Sequence, residues 1–190
     1  MSERKIREWA FPFLKSKRTY IDIGAYIGET SLPFLNDFET VIAFEPNPNS
    51  FNILKENKKI QTYNVALGKE EHKTNLIVPT GQPASDGSIA IRRNLNWTGD
   101  IFEVEVKRLD DFNFTDVDFI KIDVEEGEQE VIMGSLETIK KYEPVIMFEN
   151  KRNENDIIIL WLQSLGYTLI KHKSDTVAFK ENNNENFNTQ

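Results

Sequence analysis

Short apolar runs rich in Ile, Val and Phe alternate along this chain with longer stretches whose apolar residues recur every three or four positions. The first pattern predicts strands and the second helices. "RTYIDIGA" reads as a first strand, with a helix from about Glu29 after it. "TVIAFE" is a second strand. "NPNSFNILKENKK" then carries helix-start chemistry, with Asn47 as cap, Pro48 in the first turn, and Phe51 and Leu54 on one face. "TYNVALG" is a third strand, closed by Gly68.

Residues 69–116 interrupt the alternation. "HKTNLIVP" and "IFEVEVKRLDDF" read as strands, and the turn-rich "TGQPASDGSIAIRRNLNWTGD" lies between them. The segment is expected to be an insertion of hairpin and loop on the ligand side of a sheet, where long connections tend to be functional. Beyond it, "VDFIKIDV" is a central strand. A helix from about Gly127 to Tyr142 follows, turning Val131, Ile132, Leu136 and Ile139 inward. "PVIMFE" is a fifth strand, and "ENDIIILWLQSLG" a helix ended by Gly166. "YTLIKHKSDTVAFKE" reads as two strands turning near Ser174 and Asp175, an antiparallel hairpin. The Asn-rich stretch from about 182 onward is expected to be a disordered tail. The expected organisation is a lead-in over 1–18, one α/β domain over 19–181, and the tail. Five strands alternating with helices imply a mostly parallel sheet covered on both faces.

Composition narrows the function classes. The chain has 190 residues, 39% hydrophobic and 28% charged, which suits one globular domain. A net charge of −8 argues against nucleic acid as a partner. The lead-in is locally basic (Arg4, Lys5, Arg7, Lys15, Lys17, Arg18), which suits a solvated amphipathic segment or contact with an acidic partner. Absence of cysteine excludes disulfides, thiolate catalysis and Cys-held metals. No apolar run reaches the ~20 residues of a membrane helix, and no leader pattern is present, so the expected setting is cytoplasmic and away from membranes.

The candidate chemistry sits at the carboxyl ends of the strands, where ligands bind in such sheets. Asp22, Gly24 and Gly28 follow the first strand. Gly24 permits a tight turn, and Gly28 is expected to open a helix whose N–H groups favour an anionic group. Glu45 closes the second strand, 21 positions after Gly24. An acid there can accept hydrogen bonds from both hydroxyls of a ribose, at about 1.5–3 kcal/mol each. "GAYIGE" lacks the glycine spacing of a dinucleotide fingerprint, and no phosphate loop ending in Gly-Lys-Ser/Thr is present. A nucleoside bearing an amino acid, S-adenosylmethionine, fits better than one bearing phosphates.

The blocks "DIGAYIGETS", "AFEPNPNSFNILKEN", "NVALG", "VDFIKIDVEEGEQEVIMGS" and "EPVIMFEN" resemble those of the FkbM-type S-adenosylmethionine-dependent methyltransferases. The resemblance runs over about residues 19–150, and the closing hairpin extends it to about 181. It implies the class I methyltransferase fold, a Rossmann-like seven-stranded sheet, mostly parallel, with an antiparallel terminal hairpin. It further implies methyl transfer to a sugar or other small hydroxyl acceptor, so the expected partner is a small molecule or glycan. Carried onto these blocks, cofactor contacts fall on Asp22, Gly24, Ala25, Gly28, Thr30, Glu45, Pro46, Asn47, Val65 and Ala66. Ser88 joins them through a Ser-rich block that the family carries in this region. Where the family has Glu-Gly-Ala-Glu after Val124, this chain has Glu125-Glu126-Gly127-Glu128.

Three acids are candidates for catalysis: Asp123 and Glu125 at the mouth of "VDFIKIDV", and Glu149 at the mouth of the fifth strand. They can serve as a base, orient an acceptor hydroxyl or hold Mg²⁺. Asp123 can equally hydrogen-bond the first loop or the methionine amine, and Glu125 can equally be a helix-start acid. An N- or nucleobase methyltransferase, or a cofactor-binding module without catalysis, remain as alternatives. The first is disfavoured by the charge and by the lack of an Asn/Asp-Pro-Pro-aromatic motif.

Overall fold

The computed structural model describes residues 1–79, 88–89, 99–124, 127–149 and 156–181. Along the chain run α1 (Glu3–Trp9), β1 (Thr19–Ile23), β2 (Thr40–Phe44), α2 (Pro48–Leu54), β3 (Gln61–Tyr63), β4 (Ala66–Leu67), β5 (His72–Pro79), β6 (Ser88–Ile89), β7 (Gly99–Lys107), β8 (Val117–Ile122), α3 (Glu128–Met133), α4 (Leu136–Tyr142), β9 (Val145–Glu149), α5 (Asp156–Ser164), β10 (Thr168–His172) and β11 (Asp175–Phe179). Seven strands form one sheet in the order β10-β11-β9-β8-β1-β2-β3. β1, β2, β3, β8 and β9 are parallel, while β11 runs antiparallel to both β9 and β10. The chain steps outward from β1 to β3 and then returns to β8 on the other side of β1. That reversal opens a crevice at the carboxyl ends of β1 and β8.

The two faces of this sheet carry separate cores. On one, Ile21, Ile23, Ile42, Phe44, Ile120, Ile122, Ile146 and Phe148 pack against Val131 and Ile132 of α3, Ile139 of α4, and Ile158 and Leu162 of α5. On the other, Tyr20, Val41, Ala43, Phe119, Met147 and Val177 pack against Ile6 of α1, Leu54 of α2, and Phe34 and Phe38. Burial on both faces explains why β1 and β8 read as nearly continuous apolar runs. Their polar interruptions, Asp22 and Lys121, stand directly opposite each other in the ladder.

The structure departs from the sequence reading in several places, each with a visible cause. No regular α-helix follows β1. Residues 26–37 form successive turns around a 3-10 segment at Leu32–Phe34, because Tyr26 and Gly28 have positive φ (54° and 96°) and Pro33 lacks an N–H. The expected helix over Gly127–Tyr142 is two, α3 and α4. Gly134 separates them, seated so tightly on the backbone of Gly68 that a Cβ there would collide with the Gly68 carbonyl. "TYNVALG" divides into β3, in the main sheet, and β4, in a second sheet ordered β4-β7-β5-β6. Its strands β5, β6 and β7 fall within residues 69–116, and β4 lies just before them. The second sheet stands where a crossover helix would join β3 to β8, and Leu67, Leu109, Phe112 and Phe114 tie it to the main core.

Residues 1–18 are an integral part of the fold. Ile6 and Ala10 are fully buried, and five of the six basic side chains pair with acids. Arg7 pairs with Glu3 and Asp37, Arg18 with Asp118, and Lys5 with Asp175. The hairpin turns where expected, with Lys173 at positive φ (58°) and Asp175 opening β11. The expected tail from 182 lies outside the described residues.

Candidate functional site

The loop after β1 is fastened to the end of β2. Gly24 and Ala25 both donate their N–H groups to the Phe44 carbonyl at 3.0 Å, and Asp123 N–H bonds the Ile23 carbonyl at 3.0 Å. Gly24 has φ of 78°, and a Cβ on it would overlap the Asp123 carbonyl oxygen. Its missing side chain thus brings the mouths of β1 and β8 into backbone contact. Gly28, also at positive φ, packs between Leu32 and Leu54 and sits in the turns described above rather than at a helix start.

Asp22 is wholly buried and clasps this loop from below. One carboxylate oxygen accepts from the Thr30 hydroxyl (2.8 Å) and the Ser31 hydroxyl (2.6 Å), and the other from the Lys121 ammonium (2.8 Å). Lys121 also donates to the Gly24 carbonyl at 3.2 Å and lies 3.8 Å from Asp123 Oδ2. Burial disfavours the charge on Lys121, but the carboxylates of Asp22 and Asp123 outweigh it and leave its pKa raised.

Glu45 stands at the mouth of β2, with 7% of its surface exposed. Its Oε2 accepts the Tyr26 N–H and its Oε1 the Asn47 N–H, both at 2.8 Å. Burial raises its pKa, and the hydrogen bonds from Asn47 and Tyr26 offset only part of that. Asn47 caps α2 by accepting the Asn49 N–H at 3.0 Å. Pro46 is half-buried, and its carbonyl and that of Glu45 are both held by the Asn64 amide (3.1 and 2.8 Å).

At the mouth of β8, Asp123 keeps 20% of its side chain exposed, and its Oδ2 takes the Met1 ammonium at 2.9 Å. Glu149 ends the neighbouring β9 opposite Asp175, whose buried carboxylate is paired with Lys5 at 2.9 Å. Trp9 of α1 stacks on His172 at 4.3 Å, so α1 reaches the terminal hairpin.

The structure thus gathers Asp22, Gly24, Ala25, Thr30, Glu45, Asn47 and Asp123 around one crevice. The Thr30 hydroxyl is committed to Asp22. Val65 is half-buried against the main core, and Ala66 is buried on β4 beside Val106 of the second sheet. Ser88 lies on β6 opposite Ile77, and its side chain is not among those described. Glu125 lies outside the described residues. Among the described residues no group of three or more His, Asp or Glu side chains is placed to hold a metal ion. Sequence reasoning missed Ser31, Asn64 and Tyr26. Tyr26 contributes a backbone N–H, which leaves no mark in residue type.

The Methyltransferase FkbM domain family model matches residues 22–169. The chain belongs to this family. The match takes in Asp22, Glu45, Lys121, Asp123 and Glu149, and begins after α1. Among solved structures, an FkbM methyltransferase of Methylobacillus flagellatus is similar at 17% identity and a TM-score of 0.66, over 94% of this chain and 48% of its own. This FkbM domain therefore spans about half the length of that protein. A precorrin-6y C5,15-methyltransferase of Geobacter metallireducens is similar at 15% identity and a TM-score of 0.54, over 95% of this chain and 90% of its own. A Streptococcus mutans protein assigned as a methyltransferase, in complex with S-adenosylhomocysteine, gives 8% identity and 0.55, over 95% and 98%. At such identities the likeness shows the fold, which is that of class I methyltransferases. Among curated proteins none matches the chain. Among the described residues of this FkbM domain, no helix is long and apolar enough to cross a membrane.

Proposed function

We propose that this FkbM domain binds S-adenosylmethionine across the mouths of β1, β2 and β8 and transfers its methyl group to a hydroxyl of a sugar or other small alcohol. The observation that carries the reading is the setting of Glu45. Each carboxylate oxygen has two acceptor positions and spends one on a backbone N–H, from Tyr26 or Asn47. One position per oxygen is left, in a carboxylate already fixed in place, which suits the two hydroxyls of a ribose. When bound, the cofactor supplies an activated methyl group, which passes in line to the acceptor oxygen while sulfur leaves as a thioether.

The chain's own task is alignment and proton removal. Alignment can supply as much as ~7–11 kcal/mol of such a barrier. Asp123 and Glu149 are the described carboxylates at adjacent strand ends, and we assign Asp123 to take the acceptor's proton. The acceptor class rests on the family resemblance, and Mg²⁺ has no assigned part in this proposal.

Calorimetric titration with S-adenosylmethionine and S-adenosylhomocysteine tests the shared step, and failure of both to bind would refute the reading. Methyl release measured over a panel of sugars and alcohols tests the acceptor class. Asp123→Asn is expected to lower turnover by roughly 10²–10⁴-fold while cofactor affinity changes little. Equal losses in both would assign Asp123 to the cofactor instead.

A further inference from the structure

Three acids, Asp22, Glu45 and Asp123, meet at the crevice; the Met1 ammonium lies at its edge, 2.9 Å from Asp123 Oδ2, and one side-chain cation, Lys121, is buried among them. Its side chain is 2% exposed, with its ammonium 2.8 Å from Asp22 Oδ1, 3.2 Å from the Gly24 carbonyl and 3.8 Å from Asp123 Oδ2. Holding the loop does not require a charge at this place. A buried ion pair can often be exchanged for apolar groups of similar volume without loss of stability, because desolvation offsets the attraction. The ammonium does something that an apolar group would not: it changes the charge of the crevice by one full unit. Lys5 is not an equivalent cation, since it is part-exposed and committed to Asp175, on the far side of β9 from β1.

We propose that Lys121 is a specificity-determining residue that sets how strongly the cofactor site prefers a sulfonium over a neutral thioether. This rests on the reading of the site given above. S-adenosylmethionine and S-adenosylhomocysteine share the same nucleoside and amino-acid groups and differ by one positive charge at sulfur. Contacts to the shared groups cancel in the ratio of their affinities, so that ratio reports the potential of the crevice. By lowering the negative potential, Lys121 restrains retention of the cation and narrows the gap between cofactor and product.

The experiment is calorimetry with both ligands, at fixed pH and salt, on the full chain and on Lys121→Met, Asp22→Asn and the double variant. A unit charge in partly buried surroundings is expected to move the ratio on the order of tenfold. The preference for S-adenosylmethionine should rise in Lys121→Met, fall in Asp22→Asn, and return to within about threefold of the parent in the double variant. Should Lys121→Met fail to fold, the step from Asp22→Asn to the double variant isolates the lysine charge without an unpaired buried carboxylate. Both ligands weakening in parallel, with an unmoved ratio, would overturn the proposal and leave Lys121 a structural residue. Failure of the parent chain to bind either ligand would instead refute the proposed function itself.

Discussion

Glu45→Gln removes one oxygen and the charge while keeping the length of the side chain. In the parent, both oxygens accept backbone N–H groups at 2.8 Å. In the variant, the amide NH₂ must face either the Tyr26 or the Asn47 N–H, donor against donor. One loop contact is lost, and one ribose hydroxyl loses its acceptor. Hydrogen bonds to a charged group contribute about 1.5–3 kcal/mol and neutral ones about 0.5–1.5 kcal/mol. The expected loss of S-adenosylhomocysteine affinity is therefore about 2–4 kcal/mol, roughly 30- to 700-fold. The pH dependence gives an independent reading. Burial raises the Glu45 pKa in the free protein, and hydroxyl donors favour the ionised form. Affinity should thus be full above that raised pKa and fall as pH drops through it, with a proton released on binding. For folding the sign is opposite. A carboxyl raised in the native state contributes stability that is fully present below its unfolded pKa and is lost as pH rises through the native one. Calorimetry across pH on parent and variant checks both. A Glu45→Gln protein that stays folded, binds the ligand with parent affinity and shows the same pH profile would refute the ribose assignment.

Two further variants test the frame around the site. Gly24→Ala places a Cβ against the Asp123 carbonyl at a φ of 78°, and it should cost about 2–4 kcal/mol. For a domain of this size that is a fall in Tm of at least about 5 °C by calorimetry, and an unchanged Tm would contradict the backbone contact described. Asp110 caps α4 from a distant segment, accepting the Glu137 and Thr138 N–H groups (3.1 and 2.9 Å) and the Thr138 hydroxyl (2.8 Å). Asp110→Ala should cost about 1–2 kcal/mol by denaturant titration, with Asp110→Asn recovering part of it.

What the sequence disclosed and what it withheld divide along the range of the interaction. β1, β2, β8, β9 and the terminal hairpin were legible because burial on both faces, or strict alternation between two, writes itself into consecutive residues. The cap of α2 was legible because Asn47 and Pro48 act within one turn. The break between α3 and α4 was not, since its cause is the approach of Gly68, more than sixty positions earlier. Turns replaced the helix after β1 because Tyr26 takes a left-handed conformation that its residue type does not announce. At the site, Glu45 could be picked out by its place after a strand. The clasp of Asp22 by Thr30, Ser31 and Lys121 could not, because it needs the in-register pairing of β1 with β8.

That register also explains why acids converge on one face. Along parallel strands in register, residues of equal parity form a row across the sheet. Asp22 and Lys121 are ladder partners, and Tyr20 and Phe119, two residues back, form the previous rung on that face. Glu45 follows Val41 and Ala43 on the same face, and Glu149 follows Val145 and Met147, by the same alternation. The row thus borders directly on an aromatic floor in which Tyr20 stacks on Phe119 at 5.0 Å and meets Phe34 edge-on at 5.6 Å. Burial first, and then the charge on Asp22, push the Tyr20 hydroxyl well above its usual range, so the floor stays neutral. A floor of that kind offers no water to the charges above it, and each must be satisfied by a neighbour in the row or in the loop over it. Asp22 meets this with three donors and Lys121 with two acceptors. Glu45 takes only two N–H groups and retains acceptor capacity toward the crevice. The groups at the centre of the row are buried and turned toward one another by the fold, and the acceptor capacity open to a ligand lies at its mouth.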